Sequence, residues 1–169
     1  MPLSRRTFLL GGTAVVALGV AATTMRNASA EPATPKGPFE IEKTEAEWRA
    51  LLSEAEYNVL REAGTEYPWT SPLNDEKRAG IYSCRGCDLP LFDSATKFES
   101  GTGWPSFYDF LPGAIGRSID YTIGVARTEV HCARCGGHMG HVFEDGPPPT
   151  GLRYCINGVS LKFTPADAA

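Results

Sequence analysis

Two C-x-x-C pairs, Cys84-Arg85-Gly86-Cys87 and Cys132-Ala133-Arg134-Cys135, constrain this chain more than any other feature. At that spacing two thiols on one turn can grip the same ion, and Gly86 and Gly136 help the backbone fold around it. Two such pairs complete a tetrahedral set of four thiolates, the donor set of a closed, structural zinc site. The separation exceeds that of a compact zinc ribbon. One Zn2+ held by Cys84, Cys87, Cys132 and Cys135 would therefore staple two distant parts of a small domain that has little stability to spare. The alternatives are a disulfide within each pair, which an oxidising compartment permits, or a redox-active motif. Neither pair follows a βαβ pattern, which argues against the redox motif.

The compartment is read from the first thirty residues. Ser4-Arg5-Arg6-Thr7-Phe8-Leu9-Leu10 is a twin-arginine signature, an uncharged run extends to Met25, and Ala28-Ser29-Ala30 fits a signal-peptidase site. Its glycines and threonines make the run weakly apolar for a permanent span, and an uncleaved anchor is the alternative. Residues 1–30 are thus expected to be a signal peptide, with export by the twin-arginine route to a periplasmic or extracytoplasmic location and no stable membrane association after cleavage. Twin-arginine signals serve proteins that fold before translocation, often with a cofactor in place. Zinc loaded in the reducing cytoplasm fits that route, and this favours zinc over two disulfides. Losing residues 1–30 removes three arginines and no acid, leaving 13 basic residues against 20 acidic and a net charge of −7 in place of −4. Such a balance argues against a nucleic-acid surface, whose affinity comes from a basic patch.

After a Pro-rich linker over residues 31–40, residues 41–165 suffice for one domain, and 166–169 form a short tail. Thr44-x-x-Glu47 and Ser53-x-x-Glu56 each read as a capping box at the start of a short helix, and Gly64 can stop the second. Trp48, Leu51, Leu52, Tyr57 and Leu60 recur at helical spacing as packing residues. From Gly80 onward the pattern is β. Ile119, Tyr121, Ile123 and Val125 alternate with polar or small residues as in a half-buried strand, and short apolar runs separated by Gly, Pro and Asp continue to Phe163. The expected fold is a β-rich α+β domain built from antiparallel sheets, with its helices at the N-terminal end.

Cys155 is the cysteine left over. In Gly151–Phe163, Arg153, Cys155 and Asn157 share one strand face, and Tyr154 and Ile156 share the other. The parity flips at Val159, Leu161 and Phe163, so Gly158 is expected to mark a bulge or bend. A cysteine beside a cation and an amide is poor core filler, and the adjacent arginine favours the nucleophilic thiolate. All three histidines fall within His131–His141, with His138 and His141 in a glycine-flanked stretch read as a loop. Four thiolates already complete a metal site, so these imidazoles are free for proton transfer. In Ser100-Gly101-Thr102-Gly103-Trp104-Pro105-Ser106-Phe107, two glycines and a proline constrain a loop that presents Trp104 as a wall for an apolar ligand group.

These stretches, CRGCDLPLF, KFESGTGWPSF, RTEVHCARCGGHMGHVFEDGPPPTGLRYCING and SLKF, resemble the methionine sulfoxide reductase B family from Ile41 to Pro165. The resemblance implies two antiparallel β-sheets stapled by a four-cysteine zinc site. It also implies reduction of the R-epimer of methionine sulfoxide, mainly in proteins and peptides. It places the nucleophile on Cys155 with Arg153 and Asn157 beside it, the acid/base pair on His138 and His141, the methyl-contacting indole on Trp104 and a pocket wall on Phe143. The implied course is attack of Cys155 on the sulfoxide sulfur, protonation of the oxygen by His141 with help from His138, and a sulfenic acid on Cys155. Many relatives carry a resolving cysteine where this chain has Thr102, so the expected reductant is an external thioredoxin-like thiol donor. Met139 and Gly158-Val159 are lesser departures. A competing expectation is a zinc-stabilised β-domain that binds a protein partner, which would need neither Cys155 nor the histidine pair.

Overall fold

The computed structural model describes residues 37–168; the expected signal peptide and most of the linker lie outside the described residues. Helix α1 (Glu45–Leu51) begins where the Thr44 side chain accepts from the Glu47 N–H and the Glu47 carboxylate accepts from the Thr44 N–H. Ser53 and Glu56 repeat the device at α2 (Glu54–Glu62), and each cap stabilises its short helix by about 1 kcal/mol. Ala63, not Gly64, takes the left-handed conformation that ends α2, at φ 53°. Gly64 follows because a Cβ there would fall 1.9 Å from the Asn58 side-chain oxygen. Trp48, Leu52, Tyr57 and Leu60 are buried as expected, but Leu51 is 54 % exposed on the outer face of α1.

Among the described residues nine strands follow: β1 (Gly80–Cys84), β2 (Pro90–Asp93), β3 (Lys97–Phe98), β4 (Ser106–Phe107), β5 (Ile115–Asp120), β6 (Arg127–Cys132), β7 (His138–Phe143), β8 (Arg153–Ile156) and β9 (Leu161–Pro165). They form two antiparallel sheets, one ordered β2-β1-β9 and the other β3-β4-β8-β7-β6-β5. Aromatic rings join them. Phe92 of the smaller sheet stacks on Phe107 of the larger at 4.4 Å between centroids, and Tyr82 meets the same ring edge-on at 5.0 Å. All three are buried, and such ring pairs add about 0.5–1.5 kcal/mol each beyond their area.

Two stretches differ from the alternation read in the sequence. The strand containing Ile119 ends at Asp120, whose carboxylate accepts from the Thr122 N–H at 2.7 Å. A turn follows, with Gly124 at φ 78° donating to the Tyr121 carbonyl. Asp and Gly turn chemistry outcompetes a period-two pattern that no partner strand covers, and residues 121–126 form the β5–β6 hairpin loop. In the run to Phe163, Gly158 marks a bend, one of the two expectations, and not a bulge within one strand. The Asn157 carbonyl accepts from the Ser160 N–H and hydroxyl, a 3-10 turn spans Gly158–Ser160, and the chain passes from β8 in the larger sheet to β9 in the smaller. The parity flip records that change of sheet. At Gly158 a Cβ would lie 1.9 Å from the Ser71 hydroxyl.

Candidate active site

The four paired cysteines converge. Their sulfur atoms all lie within 4.8 Å of one another, with Cys84 and Cys135 at 3.7 Å and Cys87 and Cys132 at 3.5 Å. A tetrahedral ion with metal–sulfur bonds of ~2.3 Å has sulfur–sulfur edges of ~3.8 Å, so the spacing fits a four-thiolate metal site. None of the five cysteines is in a disulfide. Each pair sits on the same turn: the Asp88 N–H donates to the Cys84 carbonyl and the Gly136 N–H to the Cys132 carbonyl, both at 2.9 Å. Asp88 and Gly136 take matching left-handed conformations, so the first turn uses Asp88 where Gly86 was expected. One turn follows β1 and the other follows β6, so the site joins the two sheets. Helix α2 braces it through Arg61, which donates to the Cys135 carbonyl at 3.0 Å and lies 4.8 Å over the Trp48 ring.

Cys155 belongs to a row of polar residues. Strand register places Ser118, Glu129, His141, Cys155 and Ser106 side by side, one from each of β5, β6, β7, β8 and β4. Paired residues of antiparallel strands share a face, so this row lies opposite the buried Tyr154 and Ile156, as the alternation implied. The Cys155 sulfur is 3.9 Å from the Thr102 hydroxyl, which is itself tied to Ser100 at 2.8 Å. Arg153 is buried, with both carboxylate oxygens of Asp145 accepting from its guanidinium at 2.9 Å and its charge 4.4 Å over the Phe143 ring. Arg153 favours the Cys155 thiolate, as expected, but burial outweighs it. Burial pushes the Cys155 thiol up, over the smaller downward pull of Thr102 and Arg153, because desolvation penalises the charged form.

His138 and His141 lie on strand β7 and not in a loop. Residues three apart on a regular strand face opposite ways. Here β7 carries one extra residue between the pairs Val130↔Gly140 and His131↔His138, and this bulge turns Met139 into the core and brings both imidazoles to the site face. Their rings meet edge-on at 5.5 Å. Gly140 permits the bulge, since a Cβ would lie 2.0 Å from the Cys155 carbonyl oxygen. Each imidazole has its own acid. His138 Nδ1 is 2.7 Å from Glu129, which also accepts from the Ser118 hydroxyl, and His141 Nε2 is 2.7 Å from Asp120. Burial pushes the His141 imidazolium down, with Asp120 opposing. Burial acts to raise the Asp120 carboxyl, but hydrogen bonds from Thr122, His141 and Arg127 hold it well below the usual carboxylate range.

A cavity of about 130 Å³ opens beside Cys155, lined by Thr65, Trp104, Arg127, His141, Phe143 and Asn157. Trp104 is fixed by its indole N–H, which donates to the Glu66 carbonyl at 3.1 Å. Gly103, at φ 94°, leaves room where a Cβ would meet Pro68 at 2.7 Å. Asn157 is buried, accepting from the Glu66 N–H and donating to the Met139 carbonyl, both at 3.0 Å. The Glu66 carboxylate accepts from the Gly158 and Val159 N–H groups, so one residue holds Trp104, Asn157 and the turn after β8 together.

All the sequence-predicted site residues therefore gather at two places, the cavity with its histidine pair and the four-cysteine cluster. Sequence reading missed Glu66, Asp120, Arg127, Glu129 and Asp145. Glu129 carries the clearest signal, a lone acid in the strand-like run Thr128–Cys132, but only the register of β6 against β7 assigns it to a histidine.

Residues 52–165 match the family model described as the SelR domain. The chain is 59% identical over 130 residues to the peptide methionine sulfoxide reductase MsrB of Pseudomonas putida strain W619, covering 76% of this chain and 98% of that protein. It is 54% identical over 134 residues to the enzyme of the same name from Leifsonia xyli subsp. xyli, covering 78% and 96%. With the Agrobacterium fabrum enzyme of that name it shares 54% over 126 residues, covering 74% and 93%. Matched over most of its length, with the cysteine cluster and the Cys155 row in place, this chain belongs to the methionine sulfoxide reductase B family.

Proposed function

We propose that this protein reduces the R-epimer of protein-bound methionine sulfoxide to methionine, with Cys155 as nucleophile and a sulfenic acid as intermediate. The observation that carries this reading is the pairing of Cys155 with His141 on adjacent strands, at the mouth of a cavity walled by Trp104. The substrate's methyl group packs on Trp104 and its oxygen faces His141. Neutral His141 donates its Nε2–H to Asp120, which leaves Nδ1 to take the proton of the Cys155 thiol. That transfer makes the thiolate at the moment of need, consistent with a thiol that burial keeps protonated at rest. Cys155 sulfur bonds to the sulfoxide sulfur, and the imidazolium returns the proton to the oxygen. The sulfoxide S–O bond and the new sulfur–sulfur bond then break as the OH passes to the Cys155 sulfur, which releases methionine and leaves a sulfenic acid, so the cysteine sulfur loses the two electrons that the substrate sulfur gains. His138, anchored to Glu129, packs on the His141 ring and assists the transfer; Arg153 and Asn157 hold β8 in position. Trp104, His141 and Cys155 fix methyl, oxygen and sulfur at three points, which selects one hand of the sulfoxide, and resemblance to the family makes it R.

Regeneration needs two electrons from outside. The other four thiols are committed to one structural Zn2+, and Thr102 stands beside Cys155 where many relatives carry a resolving cysteine. A thioredoxin-like thiol donor fills this role. The twin-arginine segment places the reaction in the periplasm or another extracytoplasmic space. Adding one equivalent of sulfoxide peptide without reductant, then a sulfenic-acid trap, should label Cys155 once per chain. An intramolecular disulfide to Cys155 in place of the label would overturn the one-cysteine course.

A further inference from the structure

Among the described residues, seven large hydrophobic side chains are exposed, and five of them fall in two segments beside the site: Tyr67 and Trp69, and Tyr121, Ile123 and Val125; Ile119, paired with Thr128, lies on the other face of β5. Both segments run into the Cys155 cavity. Thr65 lines it two residues before Tyr67, and Arg127 lines it two residues after Val125. Each segment is also fastened to the site. Trp69 donates its N–H to the Gly103 carbonyl at 2.7 Å, next to Trp104, and Asp120 holds both His141 and Arg127. Trp69 is held at φ 66°, a left-handed conformation that a tryptophan seldom adopts, with its side chain 67 % exposed. Strain spent on presenting an indole to water marks a functional surface more than a packing one.

We infer that these two segments form an apolar rim that binds the residues flanking the methionine sulfoxide in an extended, unfolded polypeptide. This inference rests on the reductase reading. The cavity, at about 130 Å³, has room for one side chain, so in a polypeptide substrate the neighbours on either side must lie outside it, on the rim. A rim of Tyr, Trp, Ile and Val is matched by apolar neighbours, which are what surround a methionine taken from a protein's interior. Free methionine sulfoxide has nothing to place there.

The test compares three substrates with dithiothreitol as reductant: a decapeptide with methionine sulfoxide between Leu and Phe residues, the same peptide with Ser and Gly in their place, and blocked methionine sulfoxide. The apolar peptide should exceed the polar one about tenfold or more in kcat/KM, carried by KM. Tyr121→Ser/Ile123→Ser/Val125→Ser, and separately Tyr67→Ser, should remove most of that advantage while leaving blocked methionine sulfoxide turnover unchanged. Equal use of the two peptides by the wild type, or an advantage that survives both variants, would overturn the rim. So would variants that slow only regeneration by a thioredoxin-type protein, which would make this a reductant surface. No turnover of any of the three substrates by the wild type would instead overturn the reductase reading itself.

Discussion

At the scale of single residues, the proposed chemistry turns on a proton that moves between Cys155 and His141. Activity should be lost as pH falls through the depressed His141 value, because protonated His141 can no longer accept the thiol's proton. Asp120 acts on His141 in the opposite sense to burial, so Asp120→Asn removes an upward pull. The acid limb of the kcat/KM profile should then move to lower pH as kcat declines; a limb that stays put or moves up would contradict the role given to Asp120. His141→Ala should cost about 10²–10⁴-fold in kcat, the usual worth of a general acid–base group. Much of this was legible in the sequence: an unpaired cysteine on the polar face of a strand, two spare imidazoles and a tryptophan between glycines. The resting charge of Cys155 was not, because sequence reports the adjacent Arg153 but neither the burial of the thiol nor the Asp145 partner of the guanidinium.

At the scale of elements, the site depends on an irregularity in β7 and on one acid in the connection before β1. Gly140→Ala would drive a Cβ into the Cys155 carbonyl and undo the bulge that turns His138 to the site. Loss of activity with the metal retained is expected, read by turnover and metal content on the same sample. Glu66→Ala leaves the Gly158 and Val159 N–H groups without their acceptor. This should cost about 1–3 kcal/mol in denaturant unfolding, while the backbone bonds of residue 66 to Trp104 and Asn157 are kept. The capping boxes were readable from four residues because each is local. The bulge, the Glu129–His138 and Asp120–His141 pairs and the hairpin at residues 121–126 were not, since they follow from strand register and from which face a partner covers. At Ile119–Val125 the alternation was real but no sheet lay against it, and turn-forming Asp120 and Gly124 decided the conformation.

At the scale of the whole molecule, the four-cysteine site ties together two sheets that also share the buried core around Phe92 and Phe107, and it gives the helices something to brace. Metal binding of this type contributes on the order of 10 kcal/mol at neutral pH. Strong chelation or Cys84→Ser should therefore unfold the protein cooperatively, and the folded form should carry one metal per chain by elemental analysis. The spacing of the C-x-x-C pairs made this staple legible from the outset; which strands it ties together required the topology. The most direct test of the account follows the R and S epimers of a methionine sulfoxide peptide separately, with the metal-loaded protein, a dithiol reductant and Cys155→Ser in parallel. The account predicts that only the R-epimer is consumed and that the substitution abolishes its consumption while leaving fold and metal intact. Consumption of the S-epimer, or turnover that survives Cys155→Ser, would contradict it.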